Sequence, residues 1–376
     1  MGKKLNIRSL DHAGLREIAT RYGQKPFRGD QLVHWLYGRG ARDFAEMVNL
    51  PGDFRAKLDR DFEVAYPTLV KRQVAADKTR KYLVQLADGT LVETVAIPER
   101  RRLTVCLSTQ VGCAMGCVFC ATGQMGLMRS LAAGEMLDQL MMVRQDFADA
   151  TGGDAVDRLP VAPAAVAVAA STSPLRISNV VAMGQGEPFA NYDATLAALR
   201  MINDPALYGI GARHITVSTC GLLRPLERFA TEPEQFTLAI SLHSAVQATR
   251  DALMPELSHQ PLAQLREALI YYLQNTSRRP SLEYVLIAGV NDNAAELAAL
   301  LDFCAVPAPG FHVNLIRLNP LPALASGASQ PLTSAAPAAM RTFQKALAQA
   351  NVSASVRTPR GADILGACGQ LASQGA

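Results

Sequence analysis

Long hydrophobic runs are missing from this sequence. No uninterrupted apolar stretch reaches the roughly 20 residues that a membrane-crossing helix needs. The opening residues, MGKKLNIRSLDHAGLREIATRYGQ, hold no apolar core of signal-peptide length. A cytoplasmic protein without membrane association is therefore expected. Charge of one sign is also scarce: the net charge is +4, too weak to establish nucleic-acid binding. Cysteine is sparse for a disulfide framework, with seven in 376 residues and no secretory leader, so metal or redox chemistry is the better reading of the clustered ones. Solenoid-type repeats are absent. What is present is globular material, 49% hydrophobic and 19% charged, which excludes disorder.

The chemistry concentrates in VGCAMGCVFCATGQMG, residues 111–126, where Cys113, Cys117 and Cys120 are spaced by three residues and then two. Structural zinc takes four ligands, so this run alone is an incomplete zinc site. Closely spaced thiolates also hold iron–sulfur clusters, and a cubane normally uses four. Three thiolates would leave one iron open to a ligand from outside the protein.

Along the chain, residues 1–70 read as a helical module. SLDHAGLREIATRYGQ starts at a Ser9 or Asp11 cap, and RGDQLVHWLYGRG ends at Gly38 or Gly40, with Leu32, Trp35 and Leu36 at core spacing. Residues 71–102 contain a hairpin, KYLVQLADGTLVETVAIP, turning at Asp88-Gly89. Its second strand aligns Leu91, Glu93, Val95 and Ile97 on one face. A carboxylate there is expensive to bury, so either that face is partly wet or Glu93 blunts an edge strand.

From 103 to 376 the runs LTVCLST, ISNVVAMG, HITVST, FTLAISLH, SLEYVLIAGV, FHVNLIRLN and VSASVR alternate with helix-like segments. This pattern predicts an α/β fold of parallel strands with crossover helices, doubly wound or barrel. Stretches 152–176, including AAVAVAA as a possible helix turn, and 319–337 are Ala/Pro/Ser-rich and read as surface excursions. Basic clusters at Lys71–Arg72, Lys78–Arg80–Lys81, Arg100–Arg102 and Arg278–Arg279 could neutralise phosphates or be solvated loop charge.

Six motifs occur in order: CxSxQxGCxxxCxFCxTGxxG, MGxGEP, VST, SLH, NLIxxNP and RGxDIxxACGQL. Together they resemble the RlmN/Cfr family of radical S-adenosylmethionine (SAM) RNA adenine methyltransferases. The resemblance implies a partial (β/α)6 barrel with a small N-terminal helical domain that binds RNA. It implies a [4Fe-4S] cluster on Cys113, Cys117 and Cys120, whose open iron chelates SAM. An electron from a flavodoxin-type donor then yields a 5′-deoxyadenosyl radical. Gly186, Glu187, Ser218, Ser241, Leu242, His243 and Asn319 would form the SAM pocket.

By the same resemblance Cys368 takes a methyl group from one SAM, and the radical from a second activates it for addition to the adenine ring. That makes two SAM per turnover. Cys106 would remove a proton from the adduct and then resolve it through a transient disulfide with Cys368, and Glu93 would also serve as a proton acceptor. The implied product is C2-methyladenosine in 23S rRNA and in tRNA anticodon loops. The rivals are Cfr-like C8 methylation and a non-catalytic metal-stabilised RNA-binding protein. Cys220 and Cys304 match no motif and read as core thiols. The sequence stops soon after GQLAS, so RNA affinity is expected from the basic clusters near the N-terminal module and the hairpin.

Overall fold

The computed structural model describes residues 4–149, 176–205, 207–321 and 332–373. Apart from Arg176, the first low-complexity stretch, with AAVAVAA, lies outside these residues, as does the middle of the second.

The N-terminal module opens on strand β1 (Leu5–Asn6) and helix α1 (His12–Arg21), where Asp11 is the cap that accepts from the Gly14 N–H at 2.7 Å. Helix α2 (Phe27–Val33) runs on into a wider turn over His34–Arg39 and stops at Gly40, φ 69°. Helix α3 (Gly52–Asp61) leads to β2 (Phe62–Glu63), which pairs in parallel with β1. Leu32, Trp35 and Leu36 are buried, as their spacing predicts. The module is tied to the rest by the fully buried Arg8, which pairs with Asp138 and donates to the Leu36 carbonyl at 2.6 Å.

Strands β3 (Thr68–Val74), β4 (Arg80–Gln85) and β5 (Leu91–Glu99) are antiparallel, and β5 adds antiparallel to β6 (Arg102–Cys106). After β6 come the hairpin strand β7 (Gln110–Gly112), the short helix α4 (Ala121–Gln124), its partner strand β8 (Leu127–Ser130) and helix α5 (Ala133–Asp149). Strand–helix alternation then continues through β9 (Ile177–Ala182), α6 (Tyr192–Asn203), β10 (Ile215–Thr219), α7 (Leu223–Phe229) and β11 (Thr237–Ser241). The remaining elements are α8 (Gln247–Leu253), α9 (Leu262–Asn275), β12 (Ser281–Leu286), α10 (Ala294–Cys304), β13 (His312–Arg317), α11 (Pro337–Gln349) and β14 (Ser353–Arg357).

Strands β3 to β6 and β9 to β14 join one sheet, ordered β14-β13-β12-β11-β10-β9-β6-β5-β4-β3 and parallel from β6 to β14, while β7 and β8 pair apart from it. The parallel strands alternate: Val217, Leu238, Ile240, Leu282, Tyr284, Val313 and Leu315 share one buried apolar face, while Ser218, Ser241, Glu283 and Asn314 fall on the other. The linear order leaves β14 and β3 as free edges, so the wall does not close on itself. Among the described residues no helix is long and apolar enough to cross a membrane.

Two expectations change here. Strand β5 lies between β4 and β6, so Glu93 is not on an edge, and it is 5% exposed, so its face is not wet. Several cations expected to face phosphates are spent internally. Arg72 and Arg80 both pair with Asp146, which also accepts from the Tyr82 hydroxyl at 2.7 Å, and Lys81 is buried against Glu93. Arg278 donates to the Gln235 carbonyl and, at 2.7 Å, to the Thr237 hydroxyl.

Candidate active site

The cysteine run forms a tight loop between β7 and α4. Gly112 sits at φ 76°, and a Cβ there would lie 1.9 Å from the Gly126 carbonyl, so the loop closes only on glycine. The Cys113 N–H donates to that carbonyl at 3.0 Å, and Cys120 forms the N-terminal boundary of α4. Cys113 is buried, while Cys117 and Cys120 are half-buried. Burial pushes the Cys113 thiol up to about 12 and raises Cys117 and Cys120 as well.

Around this loop stand the ends of the parallel strands. Gly186, φ 98°, presses on Gln110, where a Cβ would fall 2.5 Å from the Gln110 Cβ. The Gln110 Oε1 accepts from the Glu187 N–H at 2.9 Å. Glu187 is buried and joins two strand ends: its carboxylate accepts from the Phe189 N–H at 2.9 Å and the Cys220 N–H at 2.8 Å. Burial raises its pKa, opposed by hydrogen bonds from Thr219, Cys220 and Phe189. Ser218 and Ser241 lie half-buried at the ends of β10 and β11. Their hydroxyls have no protein partner among the described residues, which leaves them open to a ligand.

His243, φ 58°, is buried, and its ring meets Phe119 edge-on with centroids 4.6 Å apart. Burial, with the Arg250 charge adding to it, lowers the imidazole to about 3. Leu242 has its side chain wholly in the core, so it can offer a ligand nothing but backbone.

Cys368 reaches this cluster of side chains on a strap, residues 361–373, that crosses the cysteine loop. The Ala121 N–H donates to the Gly369 carbonyl at 2.7 Å, and the Thr122 hydroxyl donates to Leu371 O at 2.6 Å. The Asn319 Nδ2 donates to the Cys368 carbonyl at 3.0 Å, and Gln370 Nε2 to Pro320 O at 2.8 Å. Past the cysteine, Glu93 Oε2 accepts from the N–H groups of Ala372 (2.7 Å) and Ser373 (3.1 Å). Its Oε1 meets Lys81 Nζ at 2.9 Å.

Cys106 packs with Val95 and Leu371 of that strap, and its thiol is pushed up to about 12 by burial, with Cys368 adding to the rise. Cys368 is exposed on its loop, although the protein packed around its sulfur still raises its pKa. Both are free thiols.

Residues 5–64 match the model of the ribosomal RNA large subunit methyltransferase N-terminal domain, and residues 107–303 match that of the radical SAM superfamily. A probable dual-specificity RNA methyltransferase RlmN of Moorella thermoacetica is 41% identical, with 99% of this chain and 98% of the relative covered. The chain belongs to the RlmN family of radical SAM RNA methyltransferases. A similarly named relative of Chloroflexus aurantiacus is 42% identical over 95% of this chain and 90% of its own. The crystal structure of a radical SAM methyltransferase from Sphaerobacter thermophilus superposes with a TM-score of 0.82 at 37% identity, covering 98% of this chain and 100% of that one. The open α/β sheet is thus the radical SAM partial barrel, carrying the small N-terminal helical domain.

Radical SAM membership implies SAM and an iron–sulfur cluster, and the donor set fits such a cluster. Three thiols lie close enough along a glycine-shaped loop for their charges to act on one another, and burial opposes their ionisation unless a cationic group compensates. Among the described residues no three potential ligands converge on a single ion. Thiolates that each take a different iron need no such convergence.

The motifs did not reveal Arg250, which is 2% exposed. Its guanidinium donates to the carbonyls of Ser241 (2.9 Å), Leu242 (2.6 Å) and Cys220 (2.7 Å), stapling the ends of β10 and β11 beneath the site. Nothing in QATRDAL distinguishes it from a solvated helix arginine. Cys220 proves to be a core thiol beside the cysteine loop, 3.4 Å from the Met115 sulfur, and Cys304 is buried.

Proposed function

We propose that this enzyme methylates C2 of an adenosine in 23S rRNA and in tRNA anticodon loops through a methyl group carried on Cys368. The observation that supports this most is the strap, which lays the Cys368 loop directly on the cysteine loop and beside Cys106. Cys113, Cys117 and Cys120 would hold the cluster, with Gly186, Glu187, Ser218, Ser241, His243 and the Leu242 backbone around SAM, and Asn319 at the edge of that pocket, where it holds the Cys368 carbonyl. When bound, cluster and SAM supply a 5′-deoxyadenosyl radical, with two SAM consumed per methylation and the electron coming from a flavodoxin-type donor.

The remaining roles fall to the chain itself. Cys368 presents the methyl carbon to the base from an exposed loop. Cys106 waits, protonated, at the end of β6. Once it has given up that proton, its sulfur would bond to that of Cys368 as the bond between the Cys368 sulfur and the transferred carbon breaks. That carbon would keep the electron pair, take a proton and leave as the methyl group of the base. Glu93 accepts the adduct's proton at Oε2, which requires Ala372 and Ser373 to withdraw from that oxygen. Residues 1–70 would recognise RNA by shape, residues 71–102 extend the wall, and residues 103–376 carry the chemistry.

Cys106→Ala, incubated with reductant, SAM and RNA, is expected to accumulate protein covalently bound to RNA. Clean product release by that variant removes Cys106 from the pathway. Digestion of RNA methylated by the unmutated enzyme should give 2-methyladenosine against authentic standards, whereas 8-methyladenosine would assign the Cfr-like reaction.

A further inference from the structure

The turns at 75–79 and 99–102 place basic side chains where the backbone asks for glycine. The hairpin turn 86–90 has the Leu86 N–H on Thr90 O (2.8 Å), the Gly89 N–H on Leu86 O (2.9 Å) and the Thr90 N–H on Asp88 Oδ1 (3.0 Å). The turn 75–79 repeats it bond for bond: Ala75 N–H on Thr79 O (2.8 Å), Lys78 N–H on Ala75 O (2.9 Å) and Thr79 N–H on Asp77 Oδ1 (3.0 Å). Where the first has Gly89 at φ 88°, the second has Lys78 at φ 69°. The turn between Glu99 and Arg102 has two central residues, and the first, a favoured glycine position, is Arg100 at φ 51°. L side chains rarely adopt this region, so neither residue is there for the sake of its turn.

Both turns lie at one end of the sheet. Arg80 pairs with Ala96 and Glu99 with Arg102, so the chain on either side of them turns at the same end, opposite to the turn at Gly89. Lys78, Arg100, Arg101 and Arg102 are exposed, and among the described residues none has a carboxylate partner. Arg360, the residue before the strap that leads to Cys368, spans the two turns, with Nη2 3.2 Å from Glu99 and Nη1 4.0 Å from Asp77. Strand β6 runs from Arg102 to Cys106, about 13 Å at the usual rise. The two turns thus stand at the start of β6, one strand length from Cys106 at its end, a span that an RNA strand running on from a base held near Cys106 can cover.

We propose that Lys78, Arg100, Arg101 and Arg102 form a rim that grips the backbone phosphates of the substrate RNA next to the reacting nucleotide. This rests on the reading of the chain as an RNA methyltransferase. The rim reads no sequence: it anchors the strand by counterion release while Cys368 meets the base.

The test is binding of the reconstituted full-length enzyme to protein-free large-subunit ribosomal RNA across a salt series, with Lys78→Gly/Arg100→Gly as the variant. Glycine suits both backbones, so the variant should melt at or above the parent, and Lys78→Asn/Arg100→Asn repeats the test with a second residue tolerant of that region. The expected result is at least several-fold weaker binding at low salt and a slope of log affinity on log salt reduced by about 1 to 2. Arg341→Gln/Lys345→Gln, which removes two exposed cations from α11, should leave the slope within a few tenths of the parent's. Equal slopes for the parent and both rim variants, or an equal drop in the α11 control, overturn the rim. Failure of the parent itself to bind or methylate this RNA would instead overturn the reading on which the rim rests.

Discussion

His243 shows what one residue at this site must tolerate. Its backbone is left-handed, its ring is buried against Phe119, and its Nδ1 accepts from the Val285 N–H at 3.2 Å, so the imidazole has to stay neutral. Its pKa of about 3 lies far below the ordinary 6.5. The unfolded chain therefore binds a proton that the folded one refuses, and stability present above about pH 6.5 is lost as the pH falls towards 3. Urea unfolding of His243→Gln should lose about 2 kcal/mol less than the parent between about pH 6.5 and pH 5, at about 1.4 kcal/mol per unit; an identical acid dependence would show that His243 is not held neutral. The motif marked this residue, and likewise Glu187, because their neighbours in sequence are distinctive. It could not show that the Leu242 side chain belongs to the core or that Arg250 is buried, because both facts depend on what packs across from them. Lys81 depends on its surroundings in the same way: a lysine in a basic cluster looks solvated until β5 brings Glu93 alongside.

At the scale of elements, the parallel strands were legible because their β-branched runs are long and separated by helix-length segments. The position of β5 inside the wall was not, because pairing between β5 and β6 is decided by the whole sheet. The strap was legible as a motif but not as a contact surface. Its hold on the cysteine loop consists of a few hydrogen bonds, each worth about 1 kcal/mol, so it is a segment that can be loosened without unfolding the barrel. In this structure Asn319 grips the Cys368 carbonyl. Asn319→Ala should therefore lower methylation by about three- to tenfold, while reductive SAM cleavage and SAM affinity stay near the parent's. Loss of SAM binding with an unaltered rate at saturation would instead assign Asn319 to the cofactor.

At the scale of the whole molecule, an open wall, parallel from β6 to β14, carries a helical module pinned by Arg8 and Asp138, and a strap crosses from its β14 edge to the cysteine loop. The unclosed sheet leaves an exposed cysteine near the strand ends, where a structured RNA can present a base once it is unstacked from its neighbours. The central claim is that the transferred carbon passes through the Cys368 sulfur. The direct measurement is mass spectrometry of the Cys368 peptide and of the RNA after anaerobic reconstitution with iron and sulfide and incubation with methyl-labelled SAM and reductant. Label is expected on the Cys368 sulfur before RNA is added and in adenosine afterwards. Labelled adenosine formed equally well by Cys368→Ala would contradict it.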